Sequence, residues 1–408
     1  MLKISINYLK KYPKLFKFVK NIVTKIKKIG YKYGKGLIKV DEKMVIFDSF
    51  LGKGYSCNPR AIYEEMINQS KFDDWKFVWV MRKPSSLQLD RGEVVRYNSL
   101  KHFYYLAKSK YWIFNSKTPA YMYKKSNQVY LQTWHGTPLK KLARDIEIGE
   151  DATFYRTKMS KDDMVKTYDQ DVEKYDYLIS PNEYSTEKFI SAFGVGRDKI
   201  IETGYPRNDI LTNYNKELVE NIKNGLGIDD SKKVILYAPT WRDNVYDVKG
   251  YSFTPKVDFK KWREVLGDDY FIIYKPHYLI VNNIDQEGLE DFIYFSKATD
   301  SINELYLASD LLITDYSSVF FDYSILKRPM LFYMFDLDDY DENIRGFYID
   351  INDLPGPIIQ DEDILLRNIK DLDTVVNTYK IKQERFTQQI CYLEDGHASE
   401  RVVDLVFG

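Results

Sequence analysis

Acidic residues are missing from the start of this sequence. Residues 1–40 hold twelve lysines and no Asp or Glu, although the 408-residue chain as a whole balances 60 basic against 60 acidic residues. Residues 41–408 therefore carry 48 basic and 60 acidic groups, a net charge of −12. Cysteine is nearly absent. Cys57 and Cys391 are too few and too far apart for a disulfide framework or a zinc site, which suits a reducing cytoplasm. No apolar run approaches the ~18 residues of a membrane-spanning helix. Lysines interrupt every candidate apolar core near the start and no small-residue cleavage site follows, which excludes a signal peptide. A G-x-G-x-x-G turn, a Walker loop and an H-E-x-x-H helix are also lacking. Their absence argues against a dehydrogenase, a P-loop NTPase and a zinc peptidase, and nothing points to a nucleic-acid partner.

The basic start has a helical period. Leu15, Phe18, Val19, Ile22, Val23, Ile26 and Ile29 recur at i, i+3, i+4 spacing, and Lys14, Lys17, Lys20, Lys25, Lys27 and Lys28 fill much of the remainder. A basic amphipathic helix lies in the headgroup plane of an anionic membrane, each lysine there contributing on the order of 1 kcal/mol. The competing expectation is an ordinary helix docked on the protein surface. The exclusion of every acid over forty residues favours the membrane.

From residue 41 onward, short apolar runs alternate with amphipathic stretches, the pattern of a parallel sheet with crossover helices. Strands are expected at Met44–Phe50, Phe77–Met81, Tyr111–Asn115, Gln128–Thr133, Tyr177–Ser180 and Lys199–Thr203. A second series is expected at Lys233–Tyr237, Tyr270–Tyr274, Phe292–Phe295, Leu311–Thr314 and Met330–Tyr333. The polar helical stretch Asn213–Lys232 joins the halves. The expected organisation is a basic segment over 1–40, a Rossmann-like acceptor-side domain over 41–215, a Rossmann-like donor-binding domain over 216–380 and a helical segment over 381–408. In such folds ligands bind beyond the carboxyl ends of the strands.

Chemistry-bearing residues cluster at those strand ends. In Gln132-Thr133-Trp134-His135-Gly136-Thr137-Pro138, Gly136 permits a tight turn and Pro138 stops the strand. His135 is left on the edge, where an imidazole can accept a proton. Lys275 and His277 bring two cations to the loop after Tyr274, and Arg242 in Tyr237–Asp243 offers a guanidinium that grips phosphate oxygens in pairs. Asp315-Tyr316-Ser317-Ser318 leads into a helix-like run through Leu326. Ser317 or Ser318 suits an N-cap, and the helix start suits an anion. Asp315 fits sugar hydroxyls or loop geometry better than a phosphate.

With these residues in view, the chain resembles the CDP-glycerol glycerophosphotransferases of teichoic-acid synthesis over nearly everything after residue 40. The segments that carry the resemblance are YSCNPRAIYEEM (55–66), YLQTWHGTPLKKL (130–142), TGYPRNDIL (203–211), YAPTWRD (237–243), YKPH (274–277), TDYSS (314–318), RGFYID (345–350) and DGHASERVVD (395–404). The resemblance implies a GT-B-like α/β fold of two Rossmann-like domains facing a cleft, a monotopic attachment to the cytoplasmic face of the membrane, and transfer of a polyol phosphate from a CDP-linked donor with release of CMP. It assigns His135 and His277 to catalysis, the first as base on the acceptor side and the second against the donor phosphates. Gly136, Thr137, Arg207, Asn208, Thr240, Arg242, Lys275, Asp315, Ser317, Ser318 and Arg345 become substrate-binding candidates. The expected partners are CDP-glycerol or another CDP-polyol, a lipid-linked or polymeric acceptor, and an anionic membrane surface met by residues 1–40. No metal site is expected and no cofactor is required, with a divalent cation left open. The alternatives are a CDP-ribitol or capsule-polymer transferase, a sugar-nucleotide glycosyltransferase on the same fold, and a non-catalytic membrane-bound protein.

Overall fold

The computed structural model describes residues 13–147, 160–240, 246–247, 250–251, 256–276, 286–297, 299–337 and 346–408. In chain order the strands are β1 (Asp41–Asp48), β2 (Lys76–Met81), β3 (Glu93–Arg96), β4 (Ser109–Phe114), β5 (Val129–Gln132), β6 (Tyr177–Ser180), β7 (Ile200–Glu202), β8 (Lys233–Ala238), β9 (Tyr246–Asp247), β10 (Gly250–Tyr251), β11 (Tyr270–Tyr274), β12 (Ile293–Phe295), β13 (Leu311–Thr314), β14 (Met330–Tyr333) and β15 (Ile358–Ile359). They form a seven-stranded sheet of order β3-β2-β1-β4-β5-β6-β7, a six-stranded sheet of order β12-β11-β8-β13-β14-β15, and the small hairpin β9-β10. The pairings recorded within the two large sheets are parallel. Contacts divide the chain into two compact units, residues 1–134 with 170–178 and residues 135–169 with 179–408.

The strands form where they do because helices cover both faces of a parallel sheet, so that continuous apolar runs are buried whole. Residues 44–48 of β1 and all of β11, β13 and β14 are buried. β1 stops at Asp48, two residues before the expected end, because Phe50, Leu51 and Gly52 turn into left-handed backbone with φ of 52°, 57° and 74°. The Gly52 N–H donates to Asp48 Oδ1 at 2.7 Å and closes that turn. In the second sheet, Trp262 on the helix Phe259–Leu266 is fully buried, its indole 5.7 Å from the Tyr237 ring and 5.9 Å from that of Phe259. Asp258 caps this helix by accepting from the N–H groups of Lys260 and Lys261.

The basic helix runs from Pro13 to Gly34. Of its expected apolar face, Leu15, Phe18, Val19 and Val23 have side chains outside the described residues. At its described end the helix is both docked and exposed. Tyr31 is buried, donates to the Tyr123 carbonyl at 2.7 Å and packs its ring 5.4 Å from Phe103. Lys27 and Lys35 donate to the carbonyls of Asn98 and Lys124, and Lys28 sits 3.9 Å over the Tyr121 ring. Ile22, Ile26, Ile29 and Tyr33, which share the opposite helix face, are 42, 62, 50 and 74% exposed. Several lysines therefore anchor the helix to the protein, and the branched apolar residues point to solvent.

A buried polar network fastens the end of the second unit. Arg207 Nη2 donates to Asp322 Oδ2 at 2.7 Å, and Asn208 Nδ2 donates to the other carboxylate oxygen at 3.1 Å. Asn303 Nδ2 bonds to Asn208 Oδ1 at 3.1 Å. The Arg207 guanidinium stacks 4.7 Å from the centre of the Tyr205 ring. Glu394 Oε1 accepts from the Tyr205 N–H, and Asp209 accepts from the N–H groups of Ala398 and Ser399, where the helix Ala398–Phe407 begins. Breaking one partner of such a buried ion pair costs about 3–5 kcal/mol, because the other charge is left uncompensated.

Burial raises the Glu394 carboxyl to about 8, with the Asp322 charge adding to the rise and the Tyr205 N–H opposing it. The folded protein thus keeps a proton that the unfolded chain releases near the ordinary glutamate value. Stability contributed by this proton is complete below about pH 4.5 and is lost as pH rises through about 8. Glu394→Gln, which keeps the oxygen that accepts from Tyr205, should remove a loss on the order of a few kcal/mol. Urea unfolding at pH 6 and pH 8.5 measures this. Wild type should weaken more than the variant at the higher pH, and equal pH slopes would refute the assignment.

Candidate functional site

Three of the motif loops leave adjacent strands of the six-stranded sheet. Tyr237 of β8 pairs with Tyr274 of β11 on one side and Ile313 of β13 on the other. That register starts the loops at Pro239, Lys275 and Asp315 at one height along the sheet. Thr314 Oγ1 donates to the Ala238 carbonyl at 2.8 Å. Asp315, 1% exposed, accepts with one oxygen from both the N–H and the hydroxyl of Thr240, at 2.8 and 2.5 Å. Of the two roles expected of Asp315, this is loop geometry. It ties the β8 loop to the β13 loop.

Lys275 is half-buried. Its ammonium donates to the Lys297 carbonyl at 2.9 Å and the Asp300 carbonyl at 3.4 Å, and burial lowers its pKa, with Asp300 opposing. Ser318 stands at the N-cap position of Val319–Tyr323 but makes no side-chain cap bond. The expected helix through Leu326 is split into that five-residue α turn and the 3₁₀ turn Ser324–Leu326. So short a helix carries little aligned dipole.

The His-Gly-Thr-Pro loop belongs to the same unit from His135 onward. Gly136 lies where an added Cβ would come 3.1 Å from Ser318 Oγ, which explains the glycine by close approach. Thr137 is buried, and the Pro138 carbonyl accepts from the Tyr184 hydroxyl at 2.7 Å. Beyond Pro138 the chain pairs with the segment after Arg345. Tyr348 N donates to Leu139 O, Lys141 N donates to Gly346 O, and Lys140 bridges Phe347. The Tyr348 hydroxyl donates to Asp145 at 2.6 Å and accepts from the Leu142 N–H at 3.1 Å. His135 itself is exposed.

The second unit thus brings Gly136, with Thr137 next to it, against Ser318, with Ser317 next to it, and ties Thr240 to Asp315, while the Lys275 loop leaves the strand beside that of Thr240. Arg207 and Asn208 instead sit in the buried network with Asp322. Arg242, His277 and Arg345 lie outside the described residues. The two remaining histidines have ordinary roles. His102 is buried, accepts from the Asn98 N–H at Nδ1 and is pushed down to about 3 by burial, and His397 pairs with Glu400 at the surface. Sequence reasoning missed Tyr184, Tyr348, Asp322 and Asn303, whose partners lie 46 to 206 residues away. Among the described residues no cluster of His, Cys, Asp or Glu could hold a metal ion, and no helix is long and apolar enough to cross a membrane.

The teichoic acid poly(glycerol phosphate) polymerase of Staphylococcus epidermidis is 40% identical over 97% of this chain and 55% of its own length. This chain therefore spans about half of that relative. The teichoic acid glycerol-phosphate transferase of Staphylococcus aureus is 41% identical over 95% of this chain and 100% of its own length. A poly(ribitol-phosphate) polymerase of Bacillus spizizenii stands lower, at 30% over 96% of this chain and 60% of its own length. The solved structure of the wall teichoic acid polymerase TagF, as an H444N variant with CDPG, superposes with a TM-score of 0.87 at 39% identity over 97% of each chain. That match and the two parallel sheets make the fold GT-B-like. A family description, CDP-glycerol:poly(glycerophosphate) glycerophosphotransferase, matches residues 33–408, and the chain belongs to that family.

Proposed function

We propose that the chain transfers glycerol phosphate from CDP-glycerol to a hydroxyl of a lipid-linked or polymeric acceptor, releasing CMP, in the synthesis of teichoic acid or a related anionic envelope polymer. The observation that carries this reading is the meeting, within one unit, of the loop after His135 with Ser318, beside the loops of Thr240 and Lys275 on neighbouring strands. Glycerol is preferred over ribitol because glycerol-phosphate relatives reach 40–41% identity and the ribitol relative 30%.

In this mechanism His135 takes the proton of the acceptor hydroxyl, whose oxygen attacks the β-phosphorus of the donor. The bond from that phosphorus to the bridging oxygen breaks, and CMP leaves with its electrons. Such transfer needs alignment and charge stabilisation above all. Lys275, Arg242, His277, Arg345 and the Ser317 and Ser318 hydroxyls supply the donor-side cations and hydrogen bonds, while Thr240, both of whose donors go to Asp315, acts by shaping its loop. Arg207 and Asn208 act through the fold. His135→Ala should lower CMP release from CDP-glycerol by ~10²–10⁴-fold with donor affinity retained. Near-normal turnover by the folded variant would remove His135 from the mechanism. Parallel assays with CDP-ribitol should give the slower rate, and the reverse order would change the donor.

The same reading places the enzyme at the cytoplasmic face of an anionic membrane, with the solvent-facing Ile22, Ile26, Ile29 and Tyr33 entering the headgroup boundary. Removing residues 1–39 would also strip Tyr31 from its seat, so substitutions on the outer face are the cleaner test. Replacing Ile22, Ile26 and Ile29 together by Ser should reduce cosedimentation with anionic vesicles at least about tenfold, since each buried isoleucine contributes roughly 1.5–3 kcal/mol. Wild-type binding should also weaken as salt rises, because exposed lysines are screened over ~8–10 Å. Binding indifferent to both changes would exclude this surface.

A further inference from the structure

The segment Tyr55–Met66 carries part of the family resemblance, yet none of its residues enters the reaction described above. Its helix, Cys57–Asn68, places Asn58 in the second position. Asn58 is fully buried, and its Nδ2 donates to the carbonyl of Thr133 at 3.0 Å and to that of Trp134 at 3.2 Å. One amide group therefore holds the last two carbonyls before His135. The Thr133 hydroxyl donates to the same Trp134 carbonyl at 3.2 Å. From the other side, Gln132 Oε1 accepts from the Trp134 N–H at 3.0 Å, while Gln132 Nε2 donates to the Tyr130 hydroxyl and the Ser116 carbonyl.

These bonds surround a strained residue. Trp134 has φ of 49°, in the left-handed region that a bulky side chain adopts only when its surroundings hold it there. Its indole is 7% exposed, so packing and the two amide side chains act together on it. The Trp134 carbonyl belongs to the peptide group that also contains the His135 nitrogen. Fixing that carbonyl fixes the plane from which the exposed His135 side chain departs.

We infer that Asn58, seconded by Gln132, is a positioning residue for His135: its buried amide clamps the left-handed Trp134 peptide and so aims the imidazole at the acceptor hydroxyl. This inference rests on the reading of His135 as general base. A displacement of about 1 Å at a reacting group costs on the order of 10²-fold in rate. Loss of the clamp should therefore lower kcat by roughly 10- to 100-fold and leave the affinity for CDP-glycerol within about twofold, since Lys275, Ser317 and Ser318 lie in loops that follow other strands.

The test is a double-mutant cycle of Asn58→Ala and His135→Ala in the full chain, reading CMP release, CDP-glycerol affinity and thermal unfolding. Asn58→Ser, which retains a hydroxyl donor, is measured alongside so that the comparison survives if the alanine variant does not fold. If Asn58 acts through His135, its removal slows the wild-type background and leaves the residual rate of the H135A background unchanged. Equal fold-losses in both backgrounds would make Asn58 a general support of the fold and overturn the inference. A wild-type rate for N58A beside an inactive H135A would overturn it while sparing the base assignment. A normal rate for H135A would overturn both.

Discussion

The parallel pairing of β8 with β11 on one side and β13 on the other is the constraint on which the candidate site depends. Parallel strands bond in even register, so three chains that pair Tyr274, Tyr237 and Ile313 must leave the sheet at the same level. Three loops, starting at Pro239, Lys275 and Asp315, then begin side by side. Asp315 converts that coincidence into a fixed distance by accepting both donors of Thr240. A one-residue slip of any of the three strands would turn its side chains to the other face and carry its loop out of line.

The central strands of the second sheet were legible because they are buried on both faces and so appear as unbroken apolar runs, as in Tyr270–Tyr274 and Leu311–Thr314. β3 was not. It is a four-residue edge strand, only Val95 of it buried, and Glu93 and Arg96 make it read as a loop. β15 is two residues long and offers no pattern at all. The end of β1 was misplaced because Phe50 and Leu51 are apolar yet left-handed, a conformation that residue type does not announce.

The candidate site was legible to a different degree. Gly136 and Pro138 mark a turn at a strand end by local chemistry, and local chemistry is what a sequence displays. The Arg-Asn pair at 207–208 was read toward substrate, yet its charge is met by Asp322, 115 residues on. A guanidinium in a Tyr-Pro-Arg-Asn-Asp run looks the same whether its anion is a phosphate or a buried carboxylate, because the choice is made by a residue far along the chain. Asn58 illustrates the converse. It stood in a recognised segment without a task, since its bonding partners at 133 and 134 are brought to it only by the sheet.

The network around Arg207 also constrains the order of events as the chain is made. Asp209 bonds to the backbone of Ser399, 190 residues later, and Glu394 closes on Tyr205 across 189. At roughly 5–20 residues per second, a ribosome needs on the order of 10–40 s to supply that segment. During the interval the stretch at 203–211 has no permanent seat, and Asp209 lacks the N–H donors of Ala398 and Ser399. The first sheet contains no such long wait between β1 and β5. Nascent chains of this protein should therefore pass through a stage in which the early strands are settled and Arg207 remains hydrated, making the second unit the slow step of biogenesis.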